Sequence, residues 1–298
     1  MDFTPGKYKV LICALKGCSF PFTGFSDLLA GQYEKFIILR HDVDKKPENA
    51  VTLAGIEAEE SIRASYHFRS VEGEFQKGVI TQIAGLGHEI AYHYEDLSAM
   101  SGIKTGRLRE AHPAAVEEAV ARFRRNLDHI RQLYPVNVIS MHGSPLSPVD
   151  NRLLWKYHDY HSDGIVCEPY MDIDMSNVLY LTDTGRRWDG DDSNVRDRGF
   201  LAGSEALQDP YADWRVKPVR GSLMNMTPEG MNFRASFKAS STDELIESAL
   251  NKRLPGRIII NTHPQRWTDD TLSWATELII QNFKNQVKRL VRLTKIMV

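Results

Sequence analysis

Short apolar runs alternate along the chain with longer amphipathic stretches, the pattern of strand and helix layers in a mainly parallel sheet or barrel. The runs that predict strands are "YKVLICAL", "FIILRHD", "ASYHFR", "HEIAYHY", "NVISMHG", "GIVCEPY", "VLYLTD" and "RIIINTH". Among the stretches between them, "NAVTLAGIEAEESI" keeps apolar residues at helical spacing. It follows Pro47, which suits an early helical position because its missing N–H would have no partner there. A longer stripe of Val116, Val120, Phe123, Leu127 and Ile130 predicts an outer helix that stops at Pro135. A similar stripe in "DDTLSWATELIIQNFKNQVKRLVRL" predicts a last helix whose Lys and Arg gather near its C-terminus, as the helix dipole favours. Its basic face reads as solvated surface. From about Trp188 to Phe237 the alternation fades into "DGDDSNVRDRG" and "DPYADWRVKPVRG". This composition predicts a long insertion or lid over 188–237 within a single domain.

The bulk composition narrows the function classes. At 298 residues, 42% hydrophobic and 26% charged, the chain has the make-up of a soluble globular protein with a sizeable core. A formal charge of -2 gives no global reason to bind nucleic acid or an anionic membrane surface. Cys13, Cys18 and Cys167 are too few and too unevenly spaced for a disulfide framework or a four-thiolate zinc site, so reduced, buried thiols are expected. An acid at Asp2 and a short apolar run from Val10 to Leu15 lack the form of a secretory signal. No apolar run approaches the length that spans a bilayer. The expectation is a cytoplasmic protein that is not integral to a membrane.

Polar residues at strand tips carry the functional signal. In a parallel α/β architecture the strand interior is dry, and the C-terminal strand ends form the usual active-site rim. Here those ends bring Arg40, His41, Asp42 and Asp44; His88, Glu89 and His93; His142 in "SMHGSP"; and His263 in "INTHPQRW". Side chains alternate along a strand, so Arg40, Asp42 and Asp44 share one face and His41 takes the other. The same rule places Glu89 and His93 together and turns His88 away, which leaves His93, nearest the rim, as the preferred ligand and His88 as support. Two carboxylates on one face repel unless a cation sits beside them. Carboxylate and imidazole ligands suit zinc or another divalent transition metal (cobalt, manganese or nickel) acting as a Lewis acid. Asp42 then fits the role of proton acceptor, and His263 that of proton donor to a leaving amine or alkoxide.

These motifs resemble the polysaccharide deacetylases of the NodB-homology family, especially divergent members associated with surface-polysaccharide and O-antigen biosynthesis. The likeness runs from Phe36 to Trp267. "RHDVD" is similar to the family's first motif, which implies Asp42 as catalytic base and Asp44 as metal ligand. "GHEIAYHYE" is similar to the second, which implies His93 as a ligand. "MHGSPLSPVDN" stands in the place of the third, and "INTHPQRW" in that of the last, which implies His263 as general acid. The family fold is a distorted, incomplete (β/α) barrel. In two places the chain departs from the pattern. The second metal histidine is replaced by Leu97, which makes His142 the candidate third ligand, with Glu95 and His88 as alternatives. The third motif also lacks its base-orienting arginine, a role open to Arg40. In "YLTDTGRRW", Asp183, Arg186 and Trp188 are candidates to touch a sugar or support the site. The function implied is metal-dependent removal of an acyl group, acetyl first, from an amino sugar or glycan, nucleotide- or lipid-linked in the cytoplasm. Two alternatives accompany it: an amidohydrolase or deformylase acting on another substrate, and a degenerate homologue that only binds glycan.

Overall fold

The computed structural model describes the chain except residues 72, 101–112, 144–148, 176–177, 189–236, 238 and 283–298. Strand β1 (Phe36–Val43) is buried along its whole length. It pairs in parallel with β2 (Ser65–Phe68) on one side and β6 (Arg257–Thr262) on the other. β3 (Glu89–Tyr94) and β4 (Ile139–Met141) extend the sheet beyond β2, and β5 (Leu179–Thr182) extends it beyond β6. The resulting order, β4-β3-β2-β1-β6-β5, is chain order read round a circle that is open between β4 and β5. The six strands therefore form the incomplete (β/α) barrel expected from the sequence.

Period-two alternation sorts the strand side chains into two apolar layers. The outer face, with Ile37, Leu39, Tyr66, Ile90, Tyr92 and Ile260, packs under the larger helices. These are α1 (Pro5–Lys16), α3 (Pro47–Glu59), α4 (Lys77–Gly85) and α5 (Pro113–Arg131). The inner face, with Phe36, Ile38, Ala91, Tyr180 and Ile259, closes on the short helix α2 (Phe25–Ala30) and on Ile173, Met175 and Val178. Because all the strands are parallel, their C-terminal ends meet at one edge. Farther along the chain come α6 (Pro169–Asp172), α7 (Thr242–Leu250) and a last helix, α8, over residues 271–282. No described helix is long and apolar enough to cross a membrane.

The structure corrects the sequence at several points. "YKVLICAL" is helix α1, not a strand. Thr4 caps it by accepting from Lys7 N–H at 3.1 Å, Pro5 opens it, and Tyr8, Leu11, Ile12 and Leu15 are buried at helical spacing. A short unbroken apolar run fits either element by periodicity alone. "GIVCEPY" forms no strand. Cys167 makes an isolated bridge to Val138, and Pro169 opens α6, with the Glu168 carboxylate accepting from Tyr170 N–H at 2.7 Å. Cys13 is exposed rather than buried. Helix α2 has no counterpart in the sequence pattern. It is capped at a distance by Glu89, whose carboxylate accepts from Phe25 N–H at 2.9 Å and Ser26 N–H at 3.0 Å. Gly24 permits this approach, since a Cβ there would meet the Glu89 carboxylate at 2.9 Å. The insertion expected over 188–237 lies almost wholly outside the described residues, as does the basic end of the last helix.

Candidate metal centre and catalytic pair

The inner-face residues nearest the C-terminal edge are polar, and strand register sets them side by side. Arg40 lies opposite Asn261, Asp42 opposite His67, and His93 opposite Ser140. Directly after the strand ends stand Asp44, Glu95, His142, Asp183 and His263. His88 and Glu89 lie at the opposite end of β3 and do not join them. His88 donates through Nε2 to Ala54 O at 3.0 Å and accepts from Ala64 N–H at 3.2 Å.

Arg40 and Asp42, two residues apart on one face, form a buried bidentate pair. Nε donates to Oδ1 at 2.8 Å and Nη2 to Oδ2 at 3.1 Å, and the guanidinium stacks over Tyr170. Asn261 Nδ2 donates to the same Oδ2 at 2.9 Å. Burial raises the Asp42 carboxyl, but Arg40, His93 and His263 more than offset it and hold the group well below the usual carboxylate range. Asp42 is thus a carboxylate in a site that would otherwise protonate it.

Asp44, His93 and His142 converge on one point, with potential ligand atoms all within 4.8 Å of one another. His93 Nε2 and His142 Nε2 lie 3.8 and 3.7 Å from Asp44 Oδ1. Two atoms each about 2.1 Å from a shared zinc ion at the tetrahedral angle are about 3.4 Å apart. Both imidazoles also have their other nitrogen occupied. His93 Nδ1 donates to Ser140 O at 3.1 Å, and His142 Nδ1 donates to Glu95 Oε2 at 2.8 Å. Such partners fix the tautomer that points an Nε2 lone pair inward. Burial pushes His93 down to about 4, so it is a neutral donor and not an ion-pair partner at neutral pH. Glu95, in turn, is held at about 2, because His142 and the Arg69 ion pair outweigh its burial. Asp44 Oδ1 is buried and makes no hydrogen bond among the described residues. A carboxylate oxygen without a donor, facing two oriented imidazole nitrogens, fits a divalent cation.

Leu97 is fully buried in the outer apolar layer and does not face this point. Placing at this position the histidine of the motif it resembles, Leu97→His, should therefore cost stability, about 2 kcal/mol for an imidazole buried without a partner. It should not recover zinc affinity in a His142→Ala background. Urea unfolding and zinc titration of the two variants test both halves.

Directly after β6, His263 opens a turn of helix over Pro264–Arg266. Its Nδ1 lies 2.7 Å from Asp183 Oδ1 and 2.8 Å from Arg266 Nη1, and its backbone N–H donates to Asp183 Oδ2 at 2.9 Å. Asp183 is fully buried and also accepts from Arg266 Nη1 and, at 3.0 Å, from Trp267 Nε1. Burial raises this carboxyl, and Arg266 followed by His263 brings it down to about 2. The place of Asp183 is thus behind the histidine rather than on the cleft surface. Trp188 is buried against Phe3 and Trp267 and donates to Thr242 Oγ1 at 3.1 Å, and Arg186 stacks between Phe3 and Trp274. Among the described residues, packing is what these two do.

Ser140, His67, Asn261, Arg69 and Arg266 were not singled out in the sequence. Each reaches the site through strand register or a long-range contact that local pattern does not show. Only the alternation "VIS" carried a hint, since it turns Ser140 opposite to Ile139.

No protein-family model matches the chain, and no curated protein matches it. Solved structures do. An esterase of the CE4 family from Streptococcus mutans is 12% identical, with 91% of this chain and 90% of that one covered and a TM-score of 0.41. A peptidoglycan deacetylase from Bacillus subtilis is 11% identical over 87% of this chain and 96% of that one, with a TM-score of 0.34. A CE4 family pseudoenzyme from Bacillus anthracis is 9% identical over 86% of this chain, with a TM-score of 0.37. The chain spans 65% of that protein's length.

Proposed function

We propose that the chain is a metal-dependent hydrolase that removes an acyl group, acetyl first, from an amino sugar. The observation that carries this reading is the meeting of His93 and His142 at Asp44 Oδ1, which is buried and makes no hydrogen bond among the described residues, with Asp42 Oδ2 3.8 Å from His93 Nε2. A divalent ion held there, zinc first, supplies Lewis-acid polarisation of the scissile carbonyl. The chain's own groups do the rest. Asp42, fixed by Arg40 and Asn261, takes a proton from the attacking water. His263, fixed by Asp183, gives a proton to the departing nitrogen, so that amide and water become carboxylic acid and amine. The finer reading is an amino sugar linked to a nucleotide or lipid in surface-polysaccharide synthesis. It rests on the motif resemblance, and a cytoplasmic place for the protein would suit it.

The test is zinc binding and acetate release measured on one purified sample. His142→Ala should weaken zinc binding by more than the ~100-fold that loss of a ligand's hydrogen-bond partner costs. Acetate release from N-acetylated sugars should stop in chelator and return with metal. A wild-type protein that binds no divalent metal sinks the reading. Metal binding without turnover on N-acetyl, O-acetyl or N-formyl sugars would favour the glycan-binding alternative.

A further inference from the structure

The hydroxyl of Ser140 meets three ionisable side chains. Arg40 Nη2 lies at 3.1 Å, His93 Nδ1 at 2.9 Å and His67 Nδ1 at 2.7 Å, all of them buried. A hydroxyl offers one proton and two lone pairs, so these contacts admit one assignment. Arg40 can only donate and takes one lone pair. His93 Nδ1 also faces Ser140 O at 3.1 Å, and a carbonyl only accepts, so this nitrogen carries a proton and takes the second lone pair. The serine proton is left for His67. Its Nδ1 must then be an acceptor, and its own proton sits on Nε2, which donates to Ser65 Oγ at 3.0 Å.

We infer that Ser140 is a positioning residue that couples the metal ligand His93 to the Arg40–Asp42 pair, and that His67 is the acceptor that holds its hydroxyl in register. The inference rests on the metal-hydrolase reading, to which it adds the link between ligand and base. One side chain on β4 thereby orients a ligand on β3 and the partner of the base on β1, and a histidine on β2 fixes its rotor. Without the hydroxyl, among the described residues His93 Nδ1 keeps only a backbone carbonyl and Arg40 Nη2 keeps only Asp42. An apolar residue in place of His67 frees the serine proton to turn toward other acceptors.

Nitrogen-15 NMR of the imidazoles in the metal-free full chain reads the tautomers directly. His67 is expected to carry its proton on Nε2 and His93 on Nδ1, and a proton on His67 Nδ1 overturns the inference whatever the metal affinity. Zinc titration supplies the second readout. Ser140→Ala and His67→Leu should each bind zinc about 10–100-fold more weakly, whereas His67→Asn, whose amide oxygen can take the place of Nδ1, should stay close to wild type. A folded Ser140→Ala or His67→Leu protein with wild-type zinc affinity overturns the coupling. If Ser140→Ala does not fold, the His67→Leu and His67→Asn pair decides it. A wild-type chain that binds no zinc strikes the functional reading itself, while reversed tautomers in a zinc-binding chain strike this inference alone.

Discussion

Asp42→Asn is expected to lower kcat/KM on an N-acetylated sugar by about 10³-fold, within the range for loss of a positioned proton acceptor, while zinc affinity stays near wild type. A second effect must be separated from this one. Asp42 is the bidentate partner of a buried guanidinium, and removing its charge leaves Arg40 uncompensated, at a cost of about 3–5 kcal/mol. The double variant Arg40→Met, Asp42→Asn removes both charges and should regain much of that stability without regaining activity. Urea unfolding alongside steady-state kinetics distinguishes the two losses. If Asp42→Asn retains turnover once folded, Asp42 is not the base.

The pH profile follows from the same pair. The Asp42 carboxyl lies well below its ordinary value of 3.8, so it stays ionised across the neutral range and the mildly acidic range below it. The acid limb of kcat/KM above about pH 5 should therefore come from another group, because a carboxylate of ordinary affinity is already ionised there. Arg40→Met should move Asp42 upward, toward the protonated state that burial favours, and bring a new acid limb into the profile. The Arg40 pair thus keeps the proposed base ionised near neutrality at the expense of basicity.

The same stretch shows how much of the site the sequence made legible. "FIILRHDVD" read as a buried strand with charges at its tip, and period-two alternation separated His41 from Asp42 because that rule needs no tertiary information. In the structure His41 faces the helices and Asp42 faces the barrel interior. The partners that define their environments come from elsewhere in the chain. Asn261 meets Asp42 across the β1–β6 register, Ser140 meets Arg40 and His93 across the sheet, and Asp183 meets His263 from β5. No local pattern encodes those pairings. The first segment failed for the converse reason. "YKVLICAL" is rich in β-branched and aromatic residues, yet Thr4 and Pro5 start a helix whose exposed side carries Val10 and Cys13. Local signals specified most of the strands, and tertiary contacts specified the chemistry at their ends.

Glu57 lies outside every motif, yet its removal is expected to give the largest loss of stability. It sits within α3, fully buried, against the outer face of β1 and β2. Its carboxylate accepts from Tyr8 O–H, from Tyr66 O–H at 2.6 Å and from His41 Nε2 at 2.7 Å, with His88 Nδ1 at 3.8 Å. His41 in turn shares a 2.6 Å hydrogen bond with Thr262 Oγ1. One acid thus joins α1, α3, β1, β2 and β6. Glu57→Ala strands the donors that converge on it, each at about 1–3 kcal/mol, so a total near ~5 kcal/mol is expected from urea unfolding at pH 7. Glu57→Gln keeps the shape and one acceptor oxygen and should cost roughly half as much, since its amide N–H₂ faces donors. Burial raises the Glu57 carboxyl, but His41 and the hydrogen bonds bring it below its ordinary 4.5, so the native state favours the ionised form. Its contribution is therefore complete above pH 4.5 and is lost as pH falls through the lower native value. The stability gap between wild type and Glu57→Gln should close over that acidic window. A gap that stays constant from neutral pH down to pH 3 would mean that Glu57 is protonated in the native protein and that the tyrosines, not a charge, hold the cluster together.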